Sequence, residues 1–241
     1  MKTVLITGAS RGIGNAMASY FAKQGYRVLI NVRQQNQHSD ALLQTIKQQG
    51  GVAELAIFDI TDKLAREQYM KQCPSLDVLI NNAGCLADNL LVQTPLTDWQ
   101  RCMATNYEAS CALFELAKPH LLKSKQGCVI NMASISGVRP RAGQSAYSVT
   151  KSMLIAWTHW LAEQYPQINS FAISPGPVAT DMIVNAPWYQ EKNAFNRIPL
   201  RRFCQPEEIA HAAYCLATHP MIYSGENLIM DGGYTQTTQT A

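Results

Sequence analysis

Lys2 to Phe21 reads KTVLITGASRGIGNAMASYF, and three patterns follow one another in it. Residues 2–7 are a short apolar strand pattern. Gly8, Gly12 and Gly14 come next, and Ile13, Met17, Tyr20 and Phe21 then recur at helical spacing. A strand, a glycine-rich turn and a helix open a βαβ unit. Glycines permit a tight turn and a close backbone approach, while a helix N-terminus offers N–H groups to a pyrophosphate. Gly8, Ser10, Arg11, Gly12, Ile13 and Gly14 are therefore candidate dinucleotide-binding residues.

The alternation continues outward from this unit. Strand patterns at 27–32, 52–58, 76–80, 128–132, 168–173 and 227–230 are interleaved with helical ones, the clearest at 38–49, 97–123, 145–165 and 206–218. This predicts an α/β fold with a Rossmann-type doubly wound sheet, in one domain over residues 1–241. An acidic residue at the end of the second strand would bind a ribose 2′-hydroxyl. Val32 and Arg33 stand there instead, with no Asp or Glu between Tyr26 and Ser39. Arg11 and Arg33 suit an adenosine 2′-phosphate, so the expected cofactor is NADPH/NADP+; the competing reading makes either one a solvated surface charge. Asp59 and Ile60 close the third strand where an adenine amino group could be received. Asn82, Ala83 and Gly84 follow the fourth strand, where side-chain amides can line a cofactor crevice.

The stretch from Gly127 to Lys151, GCVINMASISGVRPRAGQSAYSVTK, carries the chemistry. Ser134 lies at the end of a strand pattern, and a Gly/Pro-rich turn can fold it over the following helix. Tyr147 and Lys151 are four apart on that helix and so share a face, about 6 Å apart. A hydroxyl, a phenol and an ammonium in one place can move a proton to or from a carbonyl or alcohol oxygen. One charge at about 6 Å and an effective dielectric near 20 is worth roughly 3 kcal/mol, enough to draw the phenol down by about two pKa units. On spacing alone, a serine in a loop and a Tyr/Lys pair on a helix surface would read the same way. Asn106 sits inside the 97–123 helix pattern, where Asn is unfavourable unless its side chain has local work. Thr97 and Asp98 are the candidate caps of that helix. Residues 181–203 show little regular pattern but carry Met182, Ile183, Trp188, Tyr189 and Phe195, which reads as a substrate lid.

Bulk properties exclude other classes. Hydrophobic residues are 47% and charged ones 15%, a globular rather than disordered composition. A net charge of +3 is too weak to argue for nucleic acid or an anionic membrane as partner. There is no apolar run long enough to span a bilayer and no signal-peptide pattern. Seven cysteines without a CxxC or a Cys/His cluster read as reduced thiols in a cytoplasmic protein, with no metal site. Cys85 reads as structural.

Taken together, these motifs resemble the short-chain dehydrogenase/reductase family from end to end. Thr7 to Gly14 is similar to its TGxxxGIG loop, Asn81-Asn82-Ala83-Gly84 to its NNAG motif, and Pro175-Gly176 to its PG motif. Asn106, Ser134, Tyr147 and Lys151 match its catalytic tetrad in identity and order. The resemblance implies a seven-stranded parallel sheet in the order 3-2-1-4-5-6-7. It also implies that Lys151 holds the nicotinamide ribose and that Asn106 holds a water of the proton relay. Pro175, Gly176, Val178 and Thr180 would complete the cofactor site.

Within the family the chain is most similar to the 3-oxoacyl-(acyl-carrier-protein) reductases, through Asp88-Asn89-Leu90-Leu91, Gly143-Gln144 and the run from Pro177 to Met182. This implies NADPH-dependent reduction of a 3-oxoacyl thioester in fatty-acid, polyene or polyketide biosynthesis. Ser134, Gln144, Tyr147, Met182 and Trp188 would then face substrate. The implied partner is an acyl-carrier protein docking on basic residues such as Lys118, Lys123, Lys125, Arg139 and Arg141, with assembly as a homotetramer or homodimer. Two departures stand out: the segment Tyr165-Pro166-Gln167-Ile168 lacks the subgroup's usual basic residue, and the tail from Thr235 is long and polar. They point to a specialised pathway with its own carrier. A reductase of free small ketones is the rival enzyme reading. A non-catalytic nucleotide sensor is the rival outside enzymes, because fold does not fix function.

Overall fold

The computed structural model describes residues 1–180, 195–196, 198–219 and 224–236. Seven strands run parallel in one sheet: β1 (Thr3–Ile6), β2 (Arg27–Val32), β3 (Val52–Ile57), β4 (Val78–Asn81), β5 (Cys128–Met132), β6 (Asn169–Pro175) and β7 (Asn227–Met230). Their order is β3-β2-β1-β4-β5-β6-β7, as expected for a Rossmann-type doubly wound fold. Helices α1 (Gly12–Lys23), α2 (Gln37–Gln48), α3 (Lys63–Gln72), α4 (Leu96–Met103), α5 (Ala109–Lys123), α6 (Ile135–Val138), α7 (Ser145–Gln164) and α8 (Pro206–Thr218) connect them.

The central strands read as unbroken apolar runs because both of their faces are covered. On β1, Val4 and Ile6 point into one core with Met17 and Phe21 of α1 and Ile209 and Ala213 of α8. Leu5, on the opposite face, joins Leu113 and Phe114 of α5 and Leu154 and Leu161 of α7. The period of two thus splits the interior into two layers. The strand order reverses between β1 and β4, and the crevice opens at the carboxyl ends there.

Boundaries moved where local patterns were weak. β4 starts at Val78, with Leu76 buried in the preceding turn. β6 continues to Pro175, paired with Met230; a proline fits a strand end, where its missing N–H costs no ladder bond. The helix expected over 97–123 is three pieces: α4, a π-helical turn over Ala104–Glu108, and α5. It begins at Leu96 behind Pro95, and no side chain caps it; Asp98 instead pairs with Arg101 at 2.8 Å. Met182, Ile183, Trp188 and Tyr189 lie outside the described residues, as does 237–241 of the tail, whereas Phe195 packs on Phe203 with ring centroids 4.7 Å apart. Among the described residues no helix is long and apolar enough to cross a membrane, and no cluster of His, Cys, Asp and Glu could hold a metal ion.

Candidate active site

The glycine loop after β1 is shaped by contacts that only glycine tolerates. Gly8 and Gly12 have φ of +63° and +54°, in the left-handed region. A Cβ on Gly14 would lie 2.6 Å from the Gly8 carbonyl oxygen and 2.7 Å from Asn82 Nδ2. Across the switch point, Thr7 and Asn82 tie β1 to β4. The Thr7 hydroxyl accepts from the Asn82 and Ala83 amides, both at 2.9 Å, and Asn82 Nδ2 donates to the Thr7 carbonyl at 2.8 Å. The side of the loop facing β6 is closed by Thr180, whose Cγ2 would be 3.2 Å from a Cβ on Gly12. No side chain caps the N-terminus of α1, and both Arg11 and Arg33 are exposed and unpaired among the described residues. The Asp59 carboxylate accepts from the Thr61 amide and hydroxyl at 2.8 and 2.7 Å, and Ile60 is buried behind it.

Four side chains converge at the ends of β4 and β5. Asn106 is fully buried on the π-helical turn, not on a solvated helix face. Its Oδ1 accepts from the Cys85 amide at 2.7 Å; its Nδ2 donates to the Cys85 carbonyl at 3.0 Å and to Thr150 Oγ1 at 3.1 Å. The extra residue of a π-turn re-aims one side chain, and here it aims Asn106 at the segment following β4. Ser134 is the N-cap of α6, its Oγ accepting from the Ser136 amide at 3.1 Å. α6 is laid on α7 by Gly137, where a Cβ would meet the Lys151 carbonyl carbon at 2.7 Å, and by Ser152 Oγ donating to the Gly137 carbonyl at 2.7 Å. That contact carries Ser134 over the helix start, beside the Tyr147 phenol, whose pKa its hydroxyl pulls down. Lys151 Nζ lies 5.6 Å from the Tyr147 ring centre, donates to the Met132 carbonyl, and would be 3.6 Å from a Cβ on Gly84.

With this arrangement in view, comparison with known proteins gives the lineage. A family model described as short chain dehydrogenase matches residues 2–190. The chain belongs to that family. It is 34% identical to a 3-oxoacyl-(acyl-carrier-protein) reductase of Synechocystis sp., over 96% of both chains. It is 31% identical to the reductase of that name, FabG, of Thermotoga maritima, over 96% of this chain and 97% of the other. A solved short-chain dehydrogenase/reductase from Serratia marcescens superposes with a TM-score of 0.90 at 28% identity, covering 97% of this chain and 98% of its own. The chain is thus an oxidoreductase of the short chain dehydrogenase family, whose members use a nicotinamide dinucleotide.

The electrostatics of this short chain dehydrogenase differ from the arithmetic of a charge at 6 Å. Burial pulls Lys151 down to about 8, against a smaller upward effect of the Cys85 and Cys102 sulfurs. Burial pushes the Tyr147 phenol up, with the Ser134 hydrogen bond acting the other way. The expected lowering of Tyr147 is therefore not found: the same desolvation acts on both groups and leaves Lys151 only partly charged near pH 8.

Sequence reasoning missed several contributors. Thr150 bridges the site, accepting from Asn106 and donating to the Tyr147 carbonyl at 2.8 Å. Ser136 Oγ donates to Gln144 Oε1 at 2.9 Å, and Gln144 Nε2 donates to Asp88 at 3.3 Å, so Gln144 braces the segment after β4 against α6. Gly176 is fixed by Asp231, whose Cα would be 2.9 Å from a Cβ there, and Val178 is buried opposite Cys204. Gln144, Gly176 and Val178 were expected at the site, but their partners Ser136, Asp231 and Cys204, and the bridge through Thr150, were not. Lys118, Lys123 and Lys125 lie toward the amino ends of the strands, opposite the site, because helices run antiparallel to the strands they follow. Neighbouring Ser124 and Gln126 bond Asp77 and Lys2 beside the strand starts. Arg139 and Arg141 sit on the site's own edge, between α6 and α7.

Proposed function

We propose that this chain is an NADPH-dependent reductase of 3-oxoacyl thioesters borne on an acyl-carrier protein, yielding the 3-hydroxyacyl thioester. One arrangement carries the reading: Tyr147 beside the Ser134 hydroxyl and 5.6 Å from a buried Lys151 that has no carboxylate paired to it among the described residues.

The dinucleotide suits the loop, because Gly8, Gly12 and Gly14 allow a turn too tight for a Cβ and no side chain caps the α1 N-terminus that follows, leaving its N–H groups to a pyrophosphate. Gly8, Ser10, Gly12, Ile13 and Gly14 would hold the pyrophosphate, Arg11 and Arg33 the 2′-phosphate, and Asp59 and Ile60 the adenine. Asn82, Ala83, Gly84, Pro175, Gly176, Val178 and Thr180 would border the nicotinamide half, with Tyr147 and Lys151 at its ribose. When bound, it supplies the hydride. Tyr147, kept protonated at neutral pH by its burial, gives its proton to the ketone oxygen as negative charge develops there. Ser134 holds that oxygen by a hydrogen bond, and Lys151 feeds a proton back toward the phenol. The Asn106 amide is already engaged by Cys85 and Thr150, so a water of the relay would sit on its main-chain carbonyl.

The names of the relatives support the carrier-linked substrate, and Met182 and Trp188 on the 181–203 segment would receive the acyl chain. For carrier docking, Arg139 and Arg141 serve the site of the same chain. Lys125 reaches a site only in a second copy, which fits a homodimer or homotetramer. The outer face of α5 and α7 offers such a contact, an apolar groove lined by Tyr107, Cys111, Met153, Trp157 and Trp160. The test compares a 3-oxoacyl group on a carrier protein with the same group on a small thioester. The carrier-linked form should be reduced more efficiently, with an advantage that shrinks between ~0.05 and ~0.5 M salt. Arg141→Glu should remove part of the advantage in any assembly, and Lys125→Glu only in an oligomer. Equal use of both substrates hands the function to reduction of free ketones.

A further inference from the structure

Two thiols that neither the fold nor the proposed reaction requires lie in contact behind the site. Cys85 Sγ and Cys102 Sγ are 3.8 Å apart, although the residues are 17 apart in sequence. Cys102 is fully buried on α4 among Ala87, Ala146 and Trp99, whereas Cys85 is partly exposed on the segment after β4. Among the described residues no other two cysteines share a hydrogen bond. The pair therefore joins a reachable thiol to a shielded one. Burial, reinforced by Cys85, pushes the Cys102 thiol up to about 12, so the shielded partner rests as the neutral thiol.

The peptide that carries Cys85 is also the one clamped by Asn106. The Asn106 carboxamide receives the Cys85 amide at 2.7 Å and donates to the Cys85 carbonyl at 3.0 Å. Gly84, the preceding residue, faces both Asn106 Oδ1 and Lys151 Nζ. A disulfide needs the sulfurs at about 2.05 Å, so closure draws them together by roughly 1.8 Å. Cys102 is held inside a packed helix, so the movement falls on Cys85. It is transmitted to the two hydrogen bonds that fix Asn106 and to the backbone lying against Lys151.

We propose that Cys85 and Cys102 form a reversible oxidative modification site, in which a hydroperoxide converts the dithiol to a disulfide and detunes the Asn106–Lys151 end of the site. The Cys85 sulfur, on losing its proton, attacks a peroxide oxygen. The O–O bond breaks, the alcohol or water leaves with that proton, and Cys85 becomes a sulfenic acid. The Cys102 sulfur then attacks Cys85 Sγ; the S–O bond breaks and the hydroxyl departs as water with the Cys102 proton. Two thiols are oxidised and one peroxide is reduced. A dithiol reductant reverses the change. The site is distinct from the catalytic groups, and its formation does not depend on which ketone the enzyme reduces.

The experiment exposes the full-length protein to hydrogen peroxide, then maps its peptides by mass spectrometry without reduction and follows turnover of a 3-oxoacyl thioester. The expected result is a linked Cys85–Cys102 peptide whose yield tracks a fall in turnover of at least about tenfold, given that ~1 Å misplacements can cost up to 10²-fold. Dithiothreitol should restore both. In Cys102→Ala no linked peptide forms and dithiothreitol-reversible inhibition disappears; Cys85→Ser, which keeps the backbone clamped by Asn106, should behave alike. The proposal is overturned if no Cys85–Cys102 linkage appears, if the linkage forms while turnover is unchanged, or if the reversible loss persists in both variants. Failure of the untreated protein to turn over the thioester strikes the proposed function instead, and the peptide map still decides whether the disulfide forms.

Discussion

Two lysine–tyrosine pairs among the described residues look alike in composition and behave in opposite ways. Lys118 Nζ on α5 stands 5.0 Å over the Tyr165 ring and 3.3 Å from its hydroxyl, with Glu115 paired at 2.5 Å. Lys151 Nζ on α7 stands 5.6 Å from the Tyr147 ring, with no carboxylate paired to it among the described residues. The hydrogen bond to Glu115 pushes Lys118 up, whereas burial pulls Lys151 down to about 8. Proximity of an ammonium to a phenol therefore does not make a reactive pair. What separates them is the carboxylate that neutralises one lysine and the desolvation that leaves the other exchanging its proton near neutral pH.

The largest expected effect is on turnover. Tyr147→Phe removes the proton donor and keeps the ring, so folding and NADPH binding should survive while kcat drops by at least about 10²-fold. Tyr165→Phe, the same change in the other pair, should leave kcat unaltered. Lys151→Ala should damage both turnover and cofactor affinity. A Tyr147→Phe enzyme working at the wild-type rate would erase the distinction between the pairs.

The pH dependence of stability sharpens it further. Below about pH 8 both folded and unfolded Lys151 carry the proton, and the folded state bears the cost of a buried charge. Between about 8 and lysine's ordinary value of 10.5 the folded state sheds that proton while the unfolded chain keeps it, so this group's contribution to stability rises with pH. Lys118 has the opposite sign: its contribution is present below 10.5 and is lost as pH rises through its higher folded value. Denaturant unfolding at pH ~7.5 and ~10 should show Lys151→Met more stable than wild type, by up to about 3 kcal/mol at the lower pH and less at the higher. Lys118→Met should cost under about 1 kcal/mol, as surface ion pairs do. A gap between wild type and Lys151→Met that stays flat across that range would mean burial is not what sets the lysine.

Features that depend on a few adjacent residues were legible before the structure. The loop from Thr7 to Gly14 could be read because backbone conformation and absence of a Cβ are local demands, and the strand order followed from the resemblance. Asn106 could be located but not understood. Its partners are Cys85, 21 residues away, and Thr150, 44 away, and no periodicity signals a π-turn. The contact of Cys85 with Cys102 was hidden for the same reason. Spacing correctly gave the distance between Tyr147 and Lys151 but not their solvation, which belongs to the whole packed interior. Lys125 shows the remaining gap: adjacency to β5 in sequence puts it at the wrong end of that strand.

The smallest effect concerns cations that lack what Lys118 has. Arg11 and Arg33 stand at the carboxyl ends of β1 and β2, exposed and without an acidic partner among the described residues, and no Asp or Glu follows β2 before Asp40. Two guanidinium groups left unpaired beside a dinucleotide crevice would find their counter-charge in a 2′-phosphate, through charge-assisted hydrogen bonds worth roughly 1–3 kcal/mol each. NADPH should therefore be preferred over NADH by at least about tenfold in kcat/KM, somewhat less than the two contacts could supply because both side chains are solvated. Arg33→Asp places a carboxylate where a ribose 2′-hydroxyl would be received and repels the phosphate, so preference should move toward NADH with kcat for NADH maintained. Salt should weaken NADPH binding more than NADH binding in the wild type, and this difference should vanish in Arg33→Asp. Equal use of the two dinucleotides by the unmodified enzyme would return both arginines to the status of solvated surface charges.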